Sequence, residues 1–297
     1  MSGRAWAALW TVYVIWGSTY LGIALAGETI QPVFAAAVRF LLVGLLLSGW
    51  LLLRTGGASF GVGRAALGSA ALTGVLLMGA NALLFVAERD VPIGVASLVI
   101  ATVPLWIVLL RAAAGDRPRA VALAGTLAGF GGVALLLRPE GDASVGGLLL
   151  VLGSAATWAL GAFLSTRLPL PADAVTTTAV QTLAGGTVLL PLGLALSGDQ
   201  SLDPADWSAR SLLGLAYLVL FGSIVGLTAF AWLLAHVPLG TVATYAYVNP
   251  VVAIALGMLV LDESVTWTIA AGAAIVLASV ALVISRESRA ALEPFPE

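Results

Sequence analysis

The sequence predicts an all-α membrane protein: ten transmembrane helices in two inverted five-helix repeats, with both termini cytoplasmic. Three observations carry that prediction. First, the 297 residues are 60% apolar and only 9% charged, against roughly 45–50% and about 25% in ordinary soluble domains. So few charged side chains cannot cover the surface of a soluble fold. Second, the apolar residues fall in continuous runs of about the 20 residues that a spanning helix needs, without the alternation of barrel strands. Third, the second half of the chain repeats the first.

Each span is bounded by charge or turn residues. The first, Ala5–Ala26, is full length rather than the short apolar segment of a cleavable leader, and Gly27-Glu28 closes it. Gln31–Leu53 ends at Arg54, and Ala65–Ala87 lies between Arg64 and the Glu88-Arg89-Asp90 cluster. Pro92–Arg111 and Ala120–Arg138 complete the first half. The second half reads as Ser144–Thr166, Ala174–Leu196, Arg210–His236, Leu239–Leu261 and Trp267–Ser285. Residues 5–138 and 144–285 are therefore the two repeats, and residues 286–297 form a cytoplasmic tail.

Orientation follows from Arg, the only basic residue type present, because short cytoplasmic loops carry the positive excess. Alternate loops hold Arg4, Arg54, Arg64, Arg111, Arg117, Arg119, Arg167, Arg286 and Arg289 on one side, and only Arg89, Arg138 and Arg210 on the other. The Arg-rich side is cytoplasmic, in a bacterial-type inner membrane. Ten acids lean outward: Glu28, Glu88, Asp90, Glu140, Asp142, Asp199, Asp203, Asp206, Asp262 and Glu263. A net charge of −2 with scattered Arg offers no basic patch for nucleic acid. With no Cys, disulfides, thiolate metal sites and Cys nucleophiles are excluded. Metalloprotease, hydrolase and P-loop motifs are missing, so neither an enzyme nor a cofactor is expected.

The repeat is an ordered series of matches. Val91-Pro92-Ile93-Gly94 recurs as Val237-Pro238-Leu239-Gly240, Pro104 meets Pro250 and Asp116 meets Asp262, all at an offset of 146. Trp16 meets Trp158 at an offset of 142, which sets Arg39 opposite Gln181. Five is odd, so the second half must sit upside down relative to the first. Inverted repeats are the architecture of secondary transporters, which hold substrate near the midplane between the halves; that last step is analogy of fold.

These residues also carry a family resemblance. Trp16-Gly17-Ser18-Thr19-Tyr20, Val38-Arg39-Phe40, the Val-Pro-x-Gly starts of spans four and nine, and Asp262-Glu263 together resemble the drug/metabolite transporter superfamily. Within it, the likeness is to permeases with tandem EamA domains. Asp116-Arg117 departs from the Gly-Glu pair that the family usually shows at this place. The resemblance implies a secondary transporter that exports amino acids or similar small metabolites by alternating access, with membrane lipids as its other partners. Two alternatives stand beside it: a flippase or carrier for an amphiphilic or lipid-linked substrate, and a non-transporting scaffold.

Several residues could carry transport. Pro104 and Pro250, at equivalent mid-span places, should each break or kink a helix and serve as hinges. Arg39 is the one charge at depth, about 13 Å in, where lipid exposure is costly. It either attracts a substrate carboxylate or pairs with helix-end carbonyls or an outer acid such as Glu88. Gln181, opposite it, reads as helix–helix glue ahead of a ligand contact. Trp16 and Trp158 fall away from the interfacial belts that explain Trp6, Trp50, Trp207, Trp232 and Trp267. Tyr13, Trp16 and Tyr20 share a face, as do Thr241, Tyr245 and Asn249, with Thr244 and Tyr247 adjacent. Asn81, with Ser97 and Thr102 behind it, is a weaker member of the set. The expected substrate contacts are Trp16, Tyr20, Arg39, Asn81, Trp158, Tyr245 and Asn249. Trp106 reads as packing, and His236 as a solvated loop residue. Gly125 and Gly129 allow close packing or a homodimer contact. No carboxylate falls at midplane, since Glu28 and Glu88 stand at outer helix ends, so a buried acid that exchanges protons for a lipophilic cation is not evident.

Overall fold

The computed structural model describes residues 1–116, 120–136, 144–198 and 202–290, with backbone alone at 136, 247 and 283–290. Arg117, Arg119, Arg138, Glu140, Asp142 and Asp199, which entered the charge argument, lie outside the described residues, as do residues 291–297. The described chain is helical throughout, joined by short turns. Its helices are α1 (Gly3–Ala26), α2 (Pro32–Thr55), α3 (Arg64–Ala87), α4 (Ile93–Ile100), α5 (Val103–Ala113) and α6 (Ala120–Leu136). The second half supplies α7 (Val145–Ser165), α8 (Ala174–Ala195), α9 (Ala209–Tyr217), a π-helical segment (Leu218–Val225), α10 (Gly226–His236), α11 (Leu239–Val242), α12 (Tyr245–Val260) and α13 (Trp267–Ala290). Taking α4–α5 and α9–α10 as continuous, seven helices among the described residues are long and apolar enough to cross a membrane. Ala120–Leu135, Val248–Val260 and Trp267–Leu282 are shorter apolar helices.

Local chemistry explains the boundaries. Gln31 caps α2 at the Phe34 amide and Pro32 opens it, where a missing N–H costs nothing. Ser144, Asp173 and Ser208 cap α7, α8 and α9 through their side-chain oxygens. Gly56, at φ 59°, ends α2 in the left-handed conformation that glycine adopts without strain.

Two of the spans are broken. The first break, at Ala101–Thr102, separates α4 from α5 and places Pro104 second in α5, where a proline fits. The second corrects the expectation of a break at Pro250, because α12 runs unbroken through that residue. The interruption lies earlier, at Ala243–Thr244. There the amides of Thr244 and Ala246 reach back only three residues, to the Thr241 and Ala243 carbonyls, and the Thr244 hydroxyl also donates to the Thr241 carbonyl at 2.6 Å. The bond that Pro250 cannot make is to Ala246, in the first turn of α12, so the helix survives its loss.

The packing pairs α2 with α8 and α6 with α13; α3 lies against α7 and α8, α1 against α9, α10 and α12, and α4 against α7 and α12. Glycines allow α3 and α8 to cross closely: a Cβ on Gly74 would overlap the Gln181 backbone, and one on Gly185 would overlap Met78. A main apolar core runs through both halves. Outside it, large apolar side chains such as Leu53, Leu259 and Trp267 stand bare, a surface suited to hydrocarbon rather than water.

Candidate functional site: a chamber shared by both halves

The described helices form a chamber between them, and all seven expected contact residues line it. Trp16 and Tyr20 enter from α1, Arg39 from α2 and Asn81 from α3; Trp158 enters from α7, and Tyr245 and Asn249 from α12. The cavity volume is about 50 Å³, room for a few waters.

Aromatic rings form one wall. Trp16 meets the Trp158 ring edge-on at 5.3 Å, the Tyr245 ring at 5.3 Å and Phe230 at 4.8 Å. Both indole N–H groups are used: Trp16 Nε1 donates to the Gly222 carbonyl at 3.2 Å, and Trp158 Nε1 to the Tyr245 hydroxyl at 3.1 Å. Paired edges and satisfied donors give the wall a fixed shape. Asn249 turns its amide nitrogen toward the Tyr13 and Tyr245 carbonyls, at 3.2 and 3.1 Å, and so ties α12 to α1. Tyr13 adds a hydroxyl–hydroxyl bond to Thr244 at the span-nine break.

Arg39 is 3% exposed. Its Nε donates to Ser223 Oγ at 2.8 Å and its Nη1 to Asn81 Oδ1 at 3.0 Å, while the guanidinium stands 4.9 Å from the Phe40 ring centroid. Both acceptors are neutral, so the positive charge beside the chamber is not cancelled by a carboxylate in contact.

The π segment supplies the partners that sequence reasoning missed. Gly222 provides the carbonyl for Trp16, and Ser223 the hydroxyl for Arg39. Such segments widen a helix and recur at functional sites, but a Gly-Ser pair inside Leu218–Val225 is the only mark this one leaves in the sequence. Ser154, also on the chamber wall, donates to the Ala80 carbonyl at 2.7 Å.

Other candidates lie elsewhere. Gln181 donates to Thr73 Oγ1 at 3.0 Å, inside the α3–α8 contact. Pro104 and Pro250 do not line the chamber. Trp106 packs on Phe130, His236 stacks on Trp232, and the Tyr247 side chain lies outside the described residues.

The two ends of the bundle differ. At one end Glu263, beyond α12, reaches across to the first half. Its Oε1 accepts from the Ile93 amide at 2.6 Å and its Oε2 from the Gly94 amide at 3.1 Å. A carboxylate there meets both the unpaired amides and the positive end of α4. Asp262 before it takes a left-handed φ of 55°. Glu88 lies at the same end, at the helix end where the sequence set it, and both its carboxylate oxygens are shut from solvent with no hydrogen-bond partner among the described residues. Tertiary neighbours, which a helix-end position does not reveal, cover it.

At the other end a cavity of about 590 Å³ opens among Arg4, Asp173, Trp232 and His236. Asp116, outside the spans, takes Arg111 Nε at 3.0 Å and Arg167 Nη2 at 3.1 Å. The Arg111 hydrogen bond, followed by the nearby positive charges, holds the Asp116 carboxyl below its ordinary range.

Helices long and apolar enough to span a membrane, packed around an aromatic-walled chamber that holds a buried arginine, fit the class of membrane transporters. The chain belongs to the EamA-like transporter family, whose pattern matches residues 4–138 and again 145–285. It is 37% identical over 255 residues to an uncharacterized inner membrane transporter, YedA, of Escherichia coli strain K12, covering 84% of this chain and 80% of that one. It is 28% identical over 287 residues to a probable amino-acid metabolite efflux pump of Salmonella typhimurium, covering 90% of each. A solved crystal structure with 20% identity shares the fold, at a TM-score of 0.64 over 95% of this chain and 98% of that one.

Proposed function

We propose that this protein exports amino acids or similar small metabolites across a bacterial inner membrane by alternating access. In this reading ten spans form two inverted five-helix halves, with both termini cytoplasmic. The carrying observation is that one chamber draws its wall from both halves: Trp16, Tyr20, Arg39 and Asn81 from the first, Trp158, Tyr245 and Asn249 from the second. A cavity so built must change shape whenever the halves move against each other. The packing supports a two-fold relation between the halves. Exchanging the halves turns the α3–α7 contact into that of α9–α10 with α1, and the α1–α12 contact into that of α7 with α4.

Arg39 supplies the positive field for a substrate carboxylate, and the relative named as an amino-acid efflux pump supports that substrate class. At about 50 Å³ the chamber has room for only a few waters. The cavity beside Arg4 and His236 is the cytoplasmic approach, and the Glu263 end is the outer gate. Pro104 and Pro250 act as hinge residues beside the breaks in their spans.

Counterflow in proteoliposomes preloaded with pooled proteinogenic amino acids tests the reading. Uptake of labelled amino acid into preloaded vesicles is expected from the wild type and is reduced in Arg39→Ala and Asn249→Ala. Unchanged counterflow in both variants at normal expression would refute the site, and no counterflow in the wild type would refute the substrate class.

A further inference from the structure

Among the described residues, Glu88 is a buried carboxyl near the chamber that nothing above employs. It follows the last residue of α3, one helical turn beyond Leu84, which lines the chamber. Leu84 and Glu88 share a face by their i, i+4 spacing. Both Glu88 oxygens are shut from solvent and accept no hydrogen bond. An ionised carboxylate in that setting would carry a large desolvation cost with nothing to offset it.

The charged and titratable groups around it are few. Tyr20 faces it from α1, Arg39 from α2 and Glu263 from the turn after α12, with Arg89 and Asp90 following it in the chain. Arg39 has committed Nε and Nη1 to Ser223 and Asn81, and Glu263 is held by two α4 amides. Burial pushes the Glu88 carboxyl well above the usual range; Glu263 adds to this and Arg39 opposes it. The sign is therefore fixed. The acid is neutral while the Glu263 end is shut, and it ionises at ordinary carboxylate pH once water reaches it.

We propose that Glu88 is the proton-binding site of this transporter and couples export to inward proton movement. The inference rests on the reading given above. Closing the outer gate over Glu88 takes one proton from external water onto a carboxylate oxygen, which leaves no buried charge. Opening the chamber toward the Arg4 end hydrates the space between Glu88 and Arg39. The proton then passes to that water, and the carboxylate attracts the ammonium group of an entering amino acid whose own carboxylate lies toward Arg39. Each cycle moves one proton inward, so each pH unit of gradient shifts the attainable substrate ratio about tenfold.

Two measurements on the full chain test this. Infrared difference spectra across a pH titration should show a protonated carboxyl band that persists at neutral pH in the wild type, is retained in Glu88→Asp and is missing in Glu88→Gln. Absence of that band in the wild type, or its survival in Glu88→Gln, would overturn the assignment. In proteoliposomes loaded with pooled amino acids, external acid should accelerate efflux in the wild type and Glu88→Asp but not in Glu88→Gln. An equal response in a monodisperse Glu88→Gln protein would also overturn it. If the wild type releases no amino acid with or without the gradient, the substrate reading fails, while the infrared band still decides whether Glu88 binds the proton.

Discussion

Arg39 and Ser223 lie 184 residues apart in the chain and meet at 2.8 Å, so their coupling can be measured. Removing the guanidinium in Arg39→Met deletes two charge-assisted bonds, to Ser223 and Asn81. Such bonds contribute about 1.5–3 kcal/mol each in soluble proteins. In a membrane the unfolded reference state also finds partners, and measured couplings average about 0.6 kcal/mol with a maximum near 1.7. Arg39 is buried and its charge raises the stakes, so the Arg39–Ser223 coupling should fall at about 1–2 kcal/mol. The assay is a double-mutant cycle of Arg39→Met, Ser223→Ala and the pair, read by thermal unfolding in one detergent and by amino-acid counterflow. Ser223→Ala alone leaves the guanidinium able to turn, so counterflow should fall less than in Arg39→Met. Additivity of the two changes within about 0.5 kcal/mol would refute the claim that the π segment positions the arginine.

Three further outcomes are expected. Gly74→Ala forces a methyl into the Gln181 backbone, so α3 and α8 must part; overpacking of this kind costs about 1–3 kcal/mol, read as a lower melting temperature. Glu263→Ala strips the α4 amides of their acceptor, and because the chain has no native Cys, an Ile93→Cys reporter should react faster with a membrane-impermeant maleimide in that background. Asp116 titrates below its usual range, so its ties to Arg111 and Arg167 are complete above the ordinary aspartate pKa and are lost as pH falls through the lowered value. The difference in melting temperature between wild type and Asp116→Asn should accordingly be present at neutral pH and vanish in strong acid.

The chamber was legible in the sequence because the membrane makes mid-span polar and aromatic residues expensive. Arg39, Asn81 and Asn249 have no cheap place in lipid, so each had to face inward. Span limits were legible for a similar reason, since charges and turn residues mark where hydrocarbon ends. The span-nine break was not, because the hydroxyls of Tyr13 and Thr244 and the short turns at Ala243–Thr244 fix it, while Pro250, which drew attention, lies inside the helix that follows. The π segment escaped because its residues suit an ordinary apolar helix equally well. Glu88 and Glu263 escaped because an acid at a helix end looks solvated until the neighbours that cover or bind it are known.

The bond from Glu263 to the start of α4 has a further consequence. Its partner position by the repeat is Arg117, a cation, which cannot accept from amides as Glu263 does. In the proposed cycle the two gates therefore differ in their fastenings, which favours the state with the Glu263 end shut. Such a lean governs dwell times alone. At equilibrium every path is travelled equally in both directions, so one-sided fastening slows futile leakage from outside yet cannot set the sign of net flux. That sign must come from whatever free energy is coupled to the cycle.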